Sequence, residues 1–286
     1  MLQKGLPLRL TTHGIRTMLG LIICLLTMVN LSIGQNNDQK SHVIESKLTG
    51  YIDWTAGIAV GRARSEAGGR GVLPASQRAT AFAAAVHKAR QHLRDIIVHL
   101  PLNAERTVQY VLQHSPEKRQ SLEALIGEAQ VVQTQYLPRH VIETTLQMPL
   151  SGSFTSLVWP TVPAMARLAT EPVETVHTGI IIDARGLMIR HALFPKIVDR
   201  DGQTIYGPAR VDANAAVQRG YITYAKTLRD ARAALRVGAH PLVIRAHRVA
   251  GQARVDLLIR GTDAARLQGS PTTRRLLQQC QVIIVG

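Results

Sequence analysis

Thr178–Arg210 reads TGIIIDARGLMIRHALFPKIVDRDGQTIYGPAR, and its local signals decide what kind of fold the chain adopts. It opens on Gly179-Ile180-Ile181-Ile182, an apolar run with no polar alternation, which predicts a strand buried on both faces. Asp183-Ala184-Arg185-Gly186 follows. Residues two apart in extended chain project to the same side, so Asp183 and Arg185 read as a structural ion pair or strand-end cap. Lys196-Ile197-Val198, Asp199-Arg200-Asp201-Gly202 and Gln203-Thr204-Ile205-Tyr206 then spell strand, tight turn, strand. The Asp201-Gly202 step supplies the positive φ that such a hairpin needs.

Toward the C-terminus the signals alternate between helix and strand. Tyr221–Tyr224 reads as a strand and Leu228–Leu235 as a helix with Leu228, Ala231, Ala234 and Leu235 on one face. Leu242–Ala250 and Ala253–Arg260 form an expected hairpin around Gly251. Ser270 and Pro271 start a helix through Cys280, and Val282-Ile283-Ile284-Val285 closes the chain as a buried strand.

Toward the N-terminus, 153–176 reads as a linker because it holds Pro160, Pro163 and Pro172 and no sustained period. Its Leu157-Val158-Trp159 is expected to pack onto a domain. Before it, Tyr51–Val60 alternates as a half-buried strand, and Gly61–Gly71 (GRARSEAGGRG) breaks the pattern as a connecting loop. Pro74–Val98 is the clearest helix, with Ala79, Phe82, Ala83, Val86, Ala89, Leu93, Ile96 and Ile97 in one stripe. Its alanines allow close approach to a sheet. A shorter helix over Pro116–Ile126 is capped by Ser115, and strands Ala129–Leu137 and Val141–Met148 flank Pro138-Arg139-His140.

The fold class that follows is α+β. Two small domains, 49–152 and 177–286, each carry a mainly antiparallel sheet with helices packed on it. Residues 35–48 are polar and read as a flexible lead-in. Residues 1–34 have the parts of a secretory signal peptide: Lys4, Arg9 and Arg16, then the apolar Met18–Ile33, then small residues up to a cleavage point between Gly34 and Gln35. The apolar core is shorter than the ~20 residues of a spanning helix, which favours cleavage over retention as an anchor. Cys24 sits within the apolar run after Ile22-Ile23 and gives no lipidation signal.

The whole chain has 34 basic and 19 acidic residues, a net charge of +15. Export, 4% aromatics and the dispersal of Lys and Arg argue against nucleic acid as the partner. Two readings of the charge stand: attraction to anionic envelope polymer, cell wall or lipopolysaccharide, through Arg62, Arg64 and Arg70, or charge that serves solubility alone. With the leader removed, Cys280 is the only cysteine, so no intrachain disulfide is expected.

Several constellations invite chemistry and do not complete it. His87, His92 and His99 lack the i, i+4 spacing of a helical chelate, so no metal site is expected. Asp199-x-Asp201-Gly202 resembles a fragment of a calcium loop, but Pro208 stands where the closing glutamate belongs. Asp183 and His191 with a serine have no GxSxG elbow. No catalytic residue and no cofactor are expected.

Two blocks carry a family resemblance. PASQRATAFAAAVHKARQHLRDII, with the later strand pair ending in Pro149-Leu150-Ser151-Gly152, resembles the N-terminal module of a bacterial outer-membrane-associated family. That family includes flagellar assembly protein T and the basal-disk lipoprotein flagellar protein P. The GIIIDARGL…PKIVDRDGQTIYG block is similar to a segment that often follows this module in exported proteins. The resemblance covers roughly residues 50–210 and implies a periplasmic, non-enzymatic assembly component at the outer membrane. Expected partners are further copies of the chain and outer-membrane or flagellar basal-body proteins. The absence of a lipobox departs from several lipoprotein relatives and favours a form without an acyl anchor.

Overall fold

The isoleucine run forms the second strand of a four-stranded parallel sheet. In the computed structural model, which describes residues 42–68, 74–161 and 176–286, this strand is β6 (Gly179–Asp183), and all five of its residues are buried. Strands β9 (Thr223–Ala225), β10 (Pro241–Arg245) and β13 (Val282–Val285) complete the sheet in the order β10-β6-β13-β9, every pairing parallel. Ile180, Ile182, Val282 and Ile284 face the main core. Ile181, Ile283 and Val285 face a second, smaller cluster with Ala231 and Val237, beneath helix α6 (Leu228–Ala233). Burial on both faces explains why neither strand alternates in sequence.

Preceding this sheet in the chain is a five-stranded antiparallel one. It comprises β1 (Ile44–Lys47), β2 (Gly50–Asp53), β3 (Ile58–Glu66), β4 (Gln130–Leu137) and β5 (Val141–Pro149), in the order β1-β2-β3-β5-β4. Helix α1 (Ala75–Val98) lies across one face through Ala81, Ala85, Val86, Ala89, Leu93, Ile96 and Ile97. Its first turns bury Ala81 and Ala85 where the sequence stripe has Ala79 and Ala83. Helices α2 (Val108–Gln113) and α3 (Pro116–Gly127) follow, and Ser115 caps the latter by accepting from the Lys118 N–H. Helix α4 (Ser153–Val158) occupies the start of the expected linker.

The third sheet is a small mixed one, β11 (Arg248–Ala250), β12 (Asp256–Leu258), β7 (Ile197–Val198) and β8 (Thr204–Tyr206). Helices α5 (Ala213–Arg219), α7 (Gly261–Gly269) and α8 (Pro271–Gln278) pack around it and the parallel sheet.

The class is α+β, as the sequence predicts, with departures in the detail. First, the central sheet of 177–286 is parallel and not mainly antiparallel. The connections between β6, β9, β10 and β13 are long enough to return each strand to the same end. Leu242–Ala250 accordingly divides: β10 joins the parallel sheet, and only β11 pairs antiparallel with β12.

Second, Tyr51–Val60 is a hairpin and not one strand. Asp53 Oδ1 accepts from the Thr55 and Ala56 N–H groups at 3.0 and 2.9 Å, an Asx turn that folds the chain back. Third, the strand then runs through Gly61–Glu66, which the glycine and arginine content makes look like loop. Gly61 is required by close packing: a Cβ there would sit 2.6 Å from the Ala89 carbonyl oxygen and 2.8 Å from Leu93 N. The expected lead-in also contains β1, which pairs antiparallel with β2.

Ser41–Gly286 is one compact unit. Its main core runs without a break from Leu93 and Leu146 to Ile180 and Ile284. Aromatic side chains join the sheets: Trp54 packs edge-on against Tyr224 at 5.7 Å, and Trp159 against Phe194 at 5.2 Å. The expected packing of Leu157-Val158-Trp159 is thereby accounted for. Thr55 Oγ1 donates to the Tyr224 carbonyl at 2.8 Å, tying the β2–β3 turn to β9. No helix among the described residues is long and apolar enough to cross a membrane. The expected signal peptide, with its cleavage point at Gly34 and Gln35, lies outside the described residues.

Candidate functional site

Parallel sheets present the carboxyl ends of their strands as the usual place for function. Here β6 ends on Asp183 and β10 ends on Arg245, paired in register. Asp183 is buried, and both of its oxygens are taken. Arg185 donates from Nε to Oδ1 and from Nη2 to Oδ2, each at 2.9 Å, a bidentate fork. Arg245 donates from Nη1 to Oδ2 at 2.7 Å and from Nη2 to the Arg185 carbonyl at 2.8 Å. Gly186, at φ +83°, turns the chain immediately after the fork.

Hydrogen bonds from Arg185, then from Arg245, hold the Asp183 carboxyl well below the usual carboxylate range, against the opposing effect of burial. A carboxylate so saturated is a poor proton acceptor, so Asp183 here positions two guanidinium groups. Both arginine side chains are about half exposed, and each guanidinium has N–H donors beyond the two it uses here. The arrangement suits an anionic group arriving from outside.

The sequence anticipates the Asp183–Arg185 pair but not Arg245. Arg245 ends its own apolar run, PLVIR, much as Asp183 ends GIIID. The register that brings the two together spans 62 residues and leaves no local trace.

The 199–202 segment is a turn. Asp199 Oδ1 accepts from the Asp201 and Gln203 N–H groups at 3.0 and 2.8 Å, and Gly202 sits at φ +79°. The Asp199 carboxylate thus serves the turn's own backbone amides.

Arg62 and Arg64 project from β3 on the sheet face opposite α1. Arg64 lies in register with Glu143 of β5 and donates to it from Nε at 2.5 Å, with Arg62 Nε 4.0 Å from the same carboxylate. Glu143 therefore offsets part of the positive charge that the sequence assigns to this stretch. Arg70 lies outside the described residues. His87 and His92 of α1 and His99 just past its end engage separate local partners: His87 meets Gln91, His92 the Arg62 carbonyl, and His99 the Asp95 carbonyl. Among the described residues no cluster of His, Cys, Asp and Glu is arranged to hold a metal ion.

A buried polar network, unmarked in sequence, lies between the parallel and mixed sheets. Arg236 donates to the carbonyls of Arg219, Gly220 and Cys280, gathering the C-terminal ends of α5 and α8. Tyr206 donates to the Tyr221 carbonyl at 2.5 Å, and Tyr221 to the Pro195 carbonyl at 2.9 Å. Burial pushes the Cys280 thiol up to about 11, which makes it unreactive at neutral pH.

Residues 179–286, from the first residue of β6 onward, match the family model of the second domain of Treponema pallidum Tp0624. No curated protein gives a significant match to the chain.

Proposed function

We propose that this protein is a non-enzymatic, exported assembly component acting at the periplasmic face of the outer membrane, with the flagellar basal body as its candidate setting. One observation carries the assembly reading: among the described residues the five-stranded sheet is covered by α1 on one face only and ends on the solvent-exposed strand β4. A sheet of this kind has surface and backbone left for a neighbour. The saturated Asp183 supports a structural role for the polar end of the parallel sheet. The envelope location rests on the leader-like N-terminus, and the flagellar setting on the sequence resemblance alone.

A second reading is a monomer that grips anionic wall or lipopolysaccharide polymer. The half-exposed side chains of Arg185 and Arg245 favour it, with Arg62 and Arg64 contributing what Glu143 leaves. Sedimentation of the purified full chain separates the two readings. A discrete oligomer is the expected result; a monomer whose polymer binding falls steeply with salt would replace assembly with binding. Swimming in soft agar by a deletion strain, with growth rate as control, tests the flagellar setting. Lost motility at normal growth is expected, and unchanged motility would remove that setting.

A further inference from the structure

The two edges of the five-stranded sheet are built differently. β1 has four residues and carries Glu45 and Lys47, which pair with each other at 2.5 Å. Short length and charge are the ordinary protections of an edge strand. β4 has eight residues, QVVQTQYL, and not one is charged, in a chain that is 19% charged. Val131, Val132 and Tyr136 are 43, 47 and 71% exposed. β4 pairs with β5 on one side, and among the described residues no strand lies on its other. The ladder shifts register at Val132, then runs regularly through Gln133–Leu137. Among the described strands the other sheet-edge strands, β1, β8, β9, β10 and β11, span three to five residues.

We infer that β4 is a self-association edge: two copies of this chain join through antiparallel β4–β4 pairing about a two-fold axis within Gln133–Leu137, making one continuous sheet. The inference rests on the assembly reading and names its contact. Charge selects both occupant and direction. Glu128 precedes β4 and is exposed; Arg139 follows it and is exposed, with His140 beside it in the turn to β5. Antiparallel pairing brings the Glu128 end of each strand to the Arg139–His140 end of its partner, whereas parallel pairing would set like ends together. The uncharged strands place no like charges opposite one another. The charged, four-residue β1 disfavours continuation of the sheet from its other edge, so the pairing closes as a dimer and does not propagate.

Cysteine scanning tests this on the full chain with Cys24→Ser in place. Gln133→Cys, Thr134→Cys, Gln135→Cys and Tyr136→Cys are oxidised singly, with Lys88→Cys on α1 as control. A residue on a two-fold axis faces its own copy about 4.5–5.5 Å away between Cα atoms, within disulfide reach. A covalent dimer that peaks within Gln133–Tyr136 and is absent at Lys88 is the expected result. Val131→Lys with Tyr136→Lys, both at exposed positions, should weaken self-association about tenfold or more while leaving thermal unfolding of the protomer in place. If no β4 cysteine crosslinks above the control, the inference is overturned. Should the chain still sediment as an oligomer unchanged by the two lysines, assembly stands through another surface. A monomer at all concentrations would remove both.

Discussion

The parallel and five-stranded sheets of this protein draw on similar apolar residues and expose them differently. The parallel sheet hides Ile180, Ile182 and Ile284 in the main core and Ile181, Ile283 and Val285 in a second cluster on its other face. The five-stranded sheet rests one face on α1 and turns Arg62 and Arg64 toward solvent on the other, where they meet the largely covered Glu143 carboxylate. A sheet buried on both faces has no side left for a partner, so it serves as the stabilising frame. A sheet buried on one face has surface to spend on interaction. Stability and assembly are thus allotted to different sheets of one compact unit.

Mutations should separate the two roles. The largest effect is expected from deleting 281–286, which removes β13 from between β6 and β9 and opens both apolar faces. Domains of this kind hold only about 5–15 kcal/mol of stability, so the truncated chain should lose its cooperative thermal transition. Unchanged calorimetry would contradict the assignment of β13 as an interior strand.

Next comes Gly61→Ala, which pushes a methyl group against the α1 backbone and should cost about 1–3 kcal/mol. Arg236→Met strips the carbonyls of Arg219, Gly220 and Cys280 of their shared donor. A loss of about 1–2 kcal/mol in urea unfolding is expected, since these carbonyls lose a charged donor in a setting that is partly buried at Gly220 and Cys280 and exposed at Arg219. At the small end, Arg64→Ala breaks an exposed ion pair and should change stability by less than about 1 kcal/mol. A large loss there would mean that the open face is less dispensable than the comparison holds.

Acid sharpens the same contrast at Asp183. Its folded pKa lies below the unfolded value of about 3.9. The clamp therefore contributes fully above that value, and its contribution is lost as pH falls toward the folded pKa. The urea midpoint should drop between about pH 5 and pH 2, and Asp183→Asn should flatten that slope. Alkali works the other way on the buried hydroxyl and thiol groups. Burial raises the pKa values of Tyr206, Tyr221, Tyr224 and Cys280, so the stability they contribute is lost as pH climbs above the ordinary values of about 8.5 for the thiol and 10 for the phenols. Phenolate absorbance from these three tyrosines should rise only with unfolding.

What the sequence makes legible follows from range. Ile180–Ile182 and Val282–Val285 announce buried strands because burial on both faces needs only an unbroken apolar run. Asp183 with Arg185 and the Asp201-Gly202 turn are equally local. Direction of pairing is not: β6 meets β10 and β13 across 62 and more residues, so their parallel sense and the arrival of Arg245 at Asp183 are invisible. Gly61 misleads for a related reason, since the helix that requires it lies about thirty residues on. The exposed edge at β4 is readable as a strand, but only the sheet order reveals that it lies at an edge among the described strands.

Hydrogen exchange on the full chain at low and high protein concentration tests the division of roles most directly. The account predicts that amides of β6 and β13 exchange slowest at both concentrations, by global unfolding, while the β4 amides that point away from β5 become protected only as concentration rises. If β13 exchanges early, or those β4 amides exchange equally fast at both concentrations, the division between a stabilising frame and an associating edge is contradicted.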